Sequence, residues 1–137
     1  SEAQKPEGGS IKHDVSVPIA DIPRFLKQGI AAVEKLVPGV RPVPFGHLGD
    51  GNIHFNFSAP KGGDNAAFLA RWNEIQDAVH DIVNRYHGSI SAEHGLGIMK
   101  VHEIERYKSA AELDVMRALK RTLDPNNILN PGKVVAV

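Results

Sequence analysis

The apolar periodicities of this chain predict an α+β fold: a ferredoxin-like βαββαβ antiparallel sheet with helices on one face, followed by a C-terminal helical extension. Three observations carry that expectation. Residues 11–18 alternate between apolar and polar. Two later stretches repeat apolar residues at helical spacing. Between them an Asp-Gly pair separates two apolar runs, which is a hairpin signal.

Each element follows from local chemistry. Residues 1–10 are polar and Gly-containing and read as a tail or truncation point. Ile11, His13, Val15 and Val17 share one face of a strand, with Lys12, Asp14 and Ser16 on the other. Asp21 is a fitting N-cap, with Pro23 tolerated in the first turn. Ile22, Leu26, Ile30, Val33 and Val37 then mark a helix, stopped by Pro38-Gly39. Val40–Leu48 and Asn52–Ser58 read as the hairpin arms. Pro42 and Pro44 in the first arm point to an edge position or a broken start, because proline cannot donate to a ladder. A long helix is expected over 66–86, ended by Gly88, then a short strand from Ser89 to Glu93. The last third carries a short helix near His102–Tyr107. A capping box at Ser109–Glu112 then opens a helix with Leu113, Met116, Leu119 and Leu123.

Composition narrows the function classes. Sixteen Lys+Arg balance sixteen Asp+Glu, so the chain lacks the surplus positive charge of a generic polyanion binder. Phe55 and Phe57 fall on the buried side of the predicted sheet, which further disfavours a base-stacking RNA platform; no nucleic-acid partner is expected. No apolar run approaches the roughly 20 residues of a bilayer span, and no secretory leader is visible. With no cysteine, any metal must use histidine and carboxylate.

A two-residue turn at Asp50-Gly51 pairs Gly49 with Asn52, Leu48 with Ile53, and His47 with His54. The two histidines then stand opposite one another, Cβ atoms roughly 4.5–5.5 Å apart, close enough to converge on one ion. Asn56 shares the face of His54, while Leu48, Ile53, Phe55 and Phe57 face the helices. In a ferredoxin-like order the last strand runs along the first and ends in Glu93-His94. A carboxylate arriving there makes a His₂Glu donor set with open positions. Gly95 and Gly97 permit a turn that leaves one of Glu93 and His94 as ligand and the other to take a proton; His94 suits the base. Lys12, on the open face, can reach an anionic substrate. The competing reading of these residues is a cross-strand pair of surface histidines beside a strand-end acid; the competing function is a non-catalytic metal-binding or dimerisation module.

Three blocks, PFGHLGDGNIHFNF, GSISAEHGLGIMK and LDPNNILNPGK, together resemble the C-terminal part of the FAD-linked 2-hydroxyacid dehydrogenases of the vanillyl-alcohol oxidase superfamily. That group contains D-lactate dehydrogenase, the glycolate oxidase FAD subunit and D-2-hydroxyglutarate dehydrogenase. The resemblance implies that His47, His54 and Glu93 hold a divalent metal, zinc or manganese, and that His94 is the base. It further implies that Asn56, Lys12 and Ser1 contact a small 2-hydroxy acid substrate and that Asn130 faces the cofactor. Ala92 stands where relatives carry Gly. FAD would be bound mainly by an N-terminal domain absent from this chain, to which residues 99–137 would return from a substrate-domain portion at 11–98. A homodimer is the other partnership this reading admits. The expected compartment is the cytoplasm of a bacterium or the mitochondrion of a eukaryote.

Overall fold

In the computed structural model, which describes residues 8–137, the alternating N-terminal stretch forms two short strands, β1 (Ser10–Ile11) and β2 (Asp14–Ser16). Both pair antiparallel with β4 (Asn52–Ser58) in one shared register, Ile11 opposite Phe57 and Val15 opposite Ile53. They are one strand continued through Lys12 and His13, where the Phe55 N–H still donates to the His13 carbonyl at 2.9 Å. β3 (Arg41–His47) pairs with the other side of β4 and has no further strand partner among the described residues, the edge position its two prolines require.

The expected fourth strand is reduced to a bridge. Ser89 pairs antiparallel with Ser16, and the Ala92 N–H donates to the Asp14 carbonyl at 3.1 Å. Between these contacts the Ser89 hydroxyl bonds the Ser91 main chain at both N–H and carbonyl, a local turn that competes with a regular ladder. The strand order remains the predicted ferredoxin-like one, with the segment 89–92 beside β1/β2, then β4, then β3.

Helices cover one face. α1 (Ile22–Leu36) buries Ile22, Phe25, Gly29 and Val33, so the buried stripe includes Phe25, and Leu26 and Ile30 are only half-buried. Phe25 packs on Phe55 with ring centres 5.3 Å apart, and Phe55 on Phe57 at 4.6 Å. A Cβ at Gly29 would overlap the Phe55 ring, so this glycine is what lets α1 sit so close to the sheet. Asp21 makes no cap to the helix backbone; a single 3₁₀ turn, Ile19–Asp21, leads in, and its carboxylate pairs with Arg24.

The predicted long helix is two: α2 (Asn65–Ala70), capped by the Asp64 side chain, and α3 (Trp72–Arg85). Arg71 leaves the helical well between them (ψ 14°), its guanidinium forked onto Glu74 and reaching the Leu36 carbonyl. The left-handed residue ending α3 is His87 (φ 55°), not Gly88. Gly88 serves another need: a Cβ there would collide with the Ser16 carbonyl, so only glycine lets the chain pass close enough to bridge to β2. His13 and His80 are both buried on the helix side, rings 5.7 Å apart, with His13 Nδ1 2.8 Å from the Phe55 carbonyl.

A second compact unit begins at His94. It holds α4 (Val101–Tyr107) and α5 (Ala110–Leu123). Ser109 and Glu112 form the predicted capping box. Of the apolar stripe on α5, Leu113 is buried, whereas Leu119 and Leu123 are exposed. Asp124 ends the helix, accepting the N–H groups of Ile128 and Leu129 at 2.9 and 2.8 Å and pairing with Lys120. That ammonium, with the two backbone donors, holds the Asp124 carboxyl below its usual range. No helix among the described residues is long and apolar enough to cross a membrane.

Candidate metal centre

The hairpin differs from its predicted register. Asp50 keeps a negative φ, so the two-residue turn that needs positive φ at both central positions does not form. The connection is instead four residues, Leu48–Gly51, closed by Asp50 N–H to the His47 carbonyl (3.3 Å) and by the Asp50 carboxylate accepting the Asn52 N–H (3.0 Å). His47 therefore lies opposite Asn52, and Phe45 opposite His54. Leu48, expected to face the helices, is exposed in the loop. The offset is two residues, and side chains alternate with period two, so the histidines keep the same face as diagonal neighbours. Their ring centres are 6.1 Å apart.

Glu93 completes the group. His47 Nε2 lies 3.5 Å from Glu93 Oε1, and His54 Nε2 lies 3.8 Å from Oε2. One donor atom from each of His47, His54 and Glu93 falls within 4.8 Å of the other two. A tetrahedral ion with bonds near 2.0–2.1 Å sets its donors roughly 3.3 Å apart, so small rotamer changes suffice and the donor set fits a divalent cation. The side chains of His47 and Glu93 are 62% and 42% exposed, and that of His54 22%. The group is thus open to solvent on one side, as a site that admits a further ligand must be.

The other predicted site residues are placed as follows. Asn56 is buried on β4, two residues beyond His54 on the same face and opposite Val43. Lys12 is exposed, and the shared register of β1 and β2 sets it across from Asn56. His94 is exposed in the bend after Glu93, followed by Gly95 and Gly97 at positive φ (73° and 55°). Asn130, in the second unit, takes φ 50° and lines a groove with Met116, Leu119, Leu129 and Lys133. Ser1 lies outside the described residues.

Two residues at the centre were not singled out from the sequence. Asn52 is buried and donates from Nδ2 to Glu93 Oε1 at 2.5 Å. Asp14, opposite His54 on β2, accepts the Glu93 N–H on Oδ2 at 2.8 Å and sets Oδ1 3.9 Å from His54 Nδ1. The strand alternation already put Asp14 on this face; only its pairing with His54 would have drawn attention to it.

The chain is similar to a D-2-hydroxyglutarate dehydrogenase of Stutzerimonas stutzeri (strain A1501), 42% identical over 125 residues that cover 91% of this chain and 27% of that protein. Similarity to a mitochondrial D-2-hydroxyglutarate dehydrogenase of Arabidopsis thaliana is 38% over 135 residues, 98% of this chain and 23% of that one. A D-lactate dehydrogenase of Archaeoglobus fulgidus is 34% identical over 122 residues, 89% of this chain and 26% of its own length. The chain thus spans about a quarter of the length of these curated relatives. The family model described as FAD linked oxidases, C-terminal domain, matches residues 1–134, and the chain belongs to that family.

Proposed function

We propose that this chain is the substrate-side portion of a flavoenzyme that oxidises a D-2-hydroxy acid to the 2-oxo acid. The observation that carries the reading is the convergence of His47, His54 and Glu93 on one face of the hairpin. These three would hold zinc or manganese, which as a Lewis acid would lower the pKa of the substrate's α-hydroxyl. FAD, bound by a part of the polypeptide outside this chain, would take up the hydride equivalent. The names of the relatives and the family match support that division of labour.

The chain's own residues supply the remaining roles. His94, next to the ligand Glu93, accepts the hydroxyl proton; neutral imidazole is the form that can do so. Lys12 and Asn56, across from one another on the same face, fix the substrate carboxylate, with Ser1 contributing from the tail. Residues 99–137 form the segment that returns towards the flavin-binding part, with Asn130 on its cofactor side. Exposed Leu119, Leu123, Ile128 and Leu129 support that assignment, because they are side chains a second surface would cover.

His47→Ala and Glu93→Ala, made in the full-length parent, are expected to abolish stoichiometric metal, measured by elemental analysis of the purified protein. Full occupancy in both variants refutes the ligand assignment.

A further inference from the structure

The His₂Glu group is held by two side chains that are not ligands, and their placement is specific. Asp14 meets the segment before His94 twice: its carbonyl accepts the Ala92 N–H at 3.1 Å, and its carboxylate accepts the Glu93 N–H at 2.8 Å. The other oxygen of that carboxylate faces His54 Nδ1 at 3.9 Å, while His54 Nε2 faces Glu93. Asp14 and His54 are direct cross-strand partners, and both side chains are largely buried, 11% and 22% exposed. From the other side, the buried Asn52 donates to Glu93 Oε1. Its Oδ1 accepts no hydrogen bond among the described residues, consistent with the amide being turned so that NH₂ meets the carboxylate.

We propose that Asp14 and Asn52 are the positioning residues of this centre. Asp14 sets its negative charge beside His54 Nδ1, which favours the tautomer with the proton on that nitrogen and leaves the Nε2 lone pair for the ion, and it anchors the backbone of Glu93. Asn52 fixes the direction of the Glu93 carboxylate. A histidine free to choose its tautomer presents the wrong nitrogen part of the time, and an untethered glutamate loses rotamer freedom when it ligates. Both effects weaken the site without removing a donor. The inference rests on the ligand assignment proposed above.

The test uses metal-stripped full-length protein, with zinc affinity measured by competition against a chromophoric chelator. Asp14→Asn keeps an acceptor for the Glu93 N–H but removes the charge beside His54; Asp14→Ala removes both, and Asn52→Ala frees the carboxylate. Each variant is expected to bind one zinc per chain at saturation with a dissociation constant raised roughly 10–100-fold. Cobalt loaded in place of zinc is expected to give a changed visible spectrum in the Asp14 variants, a signature that a purely structural role would not move. Affinities within about twofold of the unsubstituted protein in both Asp14→Asn and Asn52→Ala, with an unaltered cobalt spectrum, overturn the proposal. If Asp14→Ala does not fold, Asp14→Asn decides for that residue. His54→Ala is the control: unchanged zinc affinity there sinks the ligand assignment itself, whereas loss there with no effect at Asp14 and Asn52 sinks only the positioning role.

Discussion

Gly29 shows how one missing methyl sets the distance between layers. It lies on the buried stripe of α1 against Phe55, which is itself wedged between Phe25 and Phe57. Gly29→Ala gains helix propensity of roughly 0.5–1 kcal/mol. It also drives a Cβ into a fully buried ring flanked by Phe25 and Phe57, and overpacking of that kind costs about 1–3 kcal/mol. The steric cost wins, so a net loss of about 1 kcal/mol is expected, read from the denaturant midpoint at unchanged slope. A stabilised variant would mean that Phe55 can move. Nothing in the sequence marks this position, because a glycine inside a helical pattern does not reveal what lies across from it.

Among the elements, α5 is written most openly in the sequence. Ser-x-x-Glu before an apolar run predicts a capping box, and Ser109 and Glu112 form one. Lys108, with the Ser109 N–H and hydroxyl, pulls the Glu112 carboxyl down to about 2. A carboxyl depressed on folding contributes stability that is complete above its unfolded value near 4.5 and is lost as pH falls through about 2. Helicity measured by circular dichroism should therefore decline over that acid window less steeply in Glu112→Gln. High salt should shrink the difference, since the Lys108 pair is exposed. An identical acid profile in both proteins removes Glu112 from the account. The hairpin teaches the converse. Asp-Gly predicts a turn but not its length, and the structure spends four residues where two were expected. The face shared by His47 and His54 survives because the slip is even. A slip of one would have sent His47 to the other face.

The whole chain leaves much apolar surface open. In the second unit Leu123 is 77% exposed, and Leu119, Ile128 and Leu129 are exposed as well. If these face the remainder of a parent flavoenzyme, Leu123→Lys in the full-length protein should destabilise it by about 1–3 kcal/mol, seen as a lowered melting temperature. On a solvated surface the same change should lie within about 0.5 kcal/mol of neutral, and that outcome removes Leu123 from any interface.

Sequence periodicity by itself determined the α+β class and the face shared by His47, His54 and Asn56. These depend on nearest-neighbour geometry, which repeats every 2 or 3.6 residues and so is written in the order of side chains. Only the tertiary structure decided how closely Glu93 approaches the two histidines, that Asp14 and Asn52 bond to it, and that α2 and α3 part at Arg71. Each of those joins groups far apart in the chain or reaches from one helix end to another element. Such contacts follow from how layers pack around Phe25, Phe55 and Phe57, and packing is a property of the assembled chain rather than of any window within it.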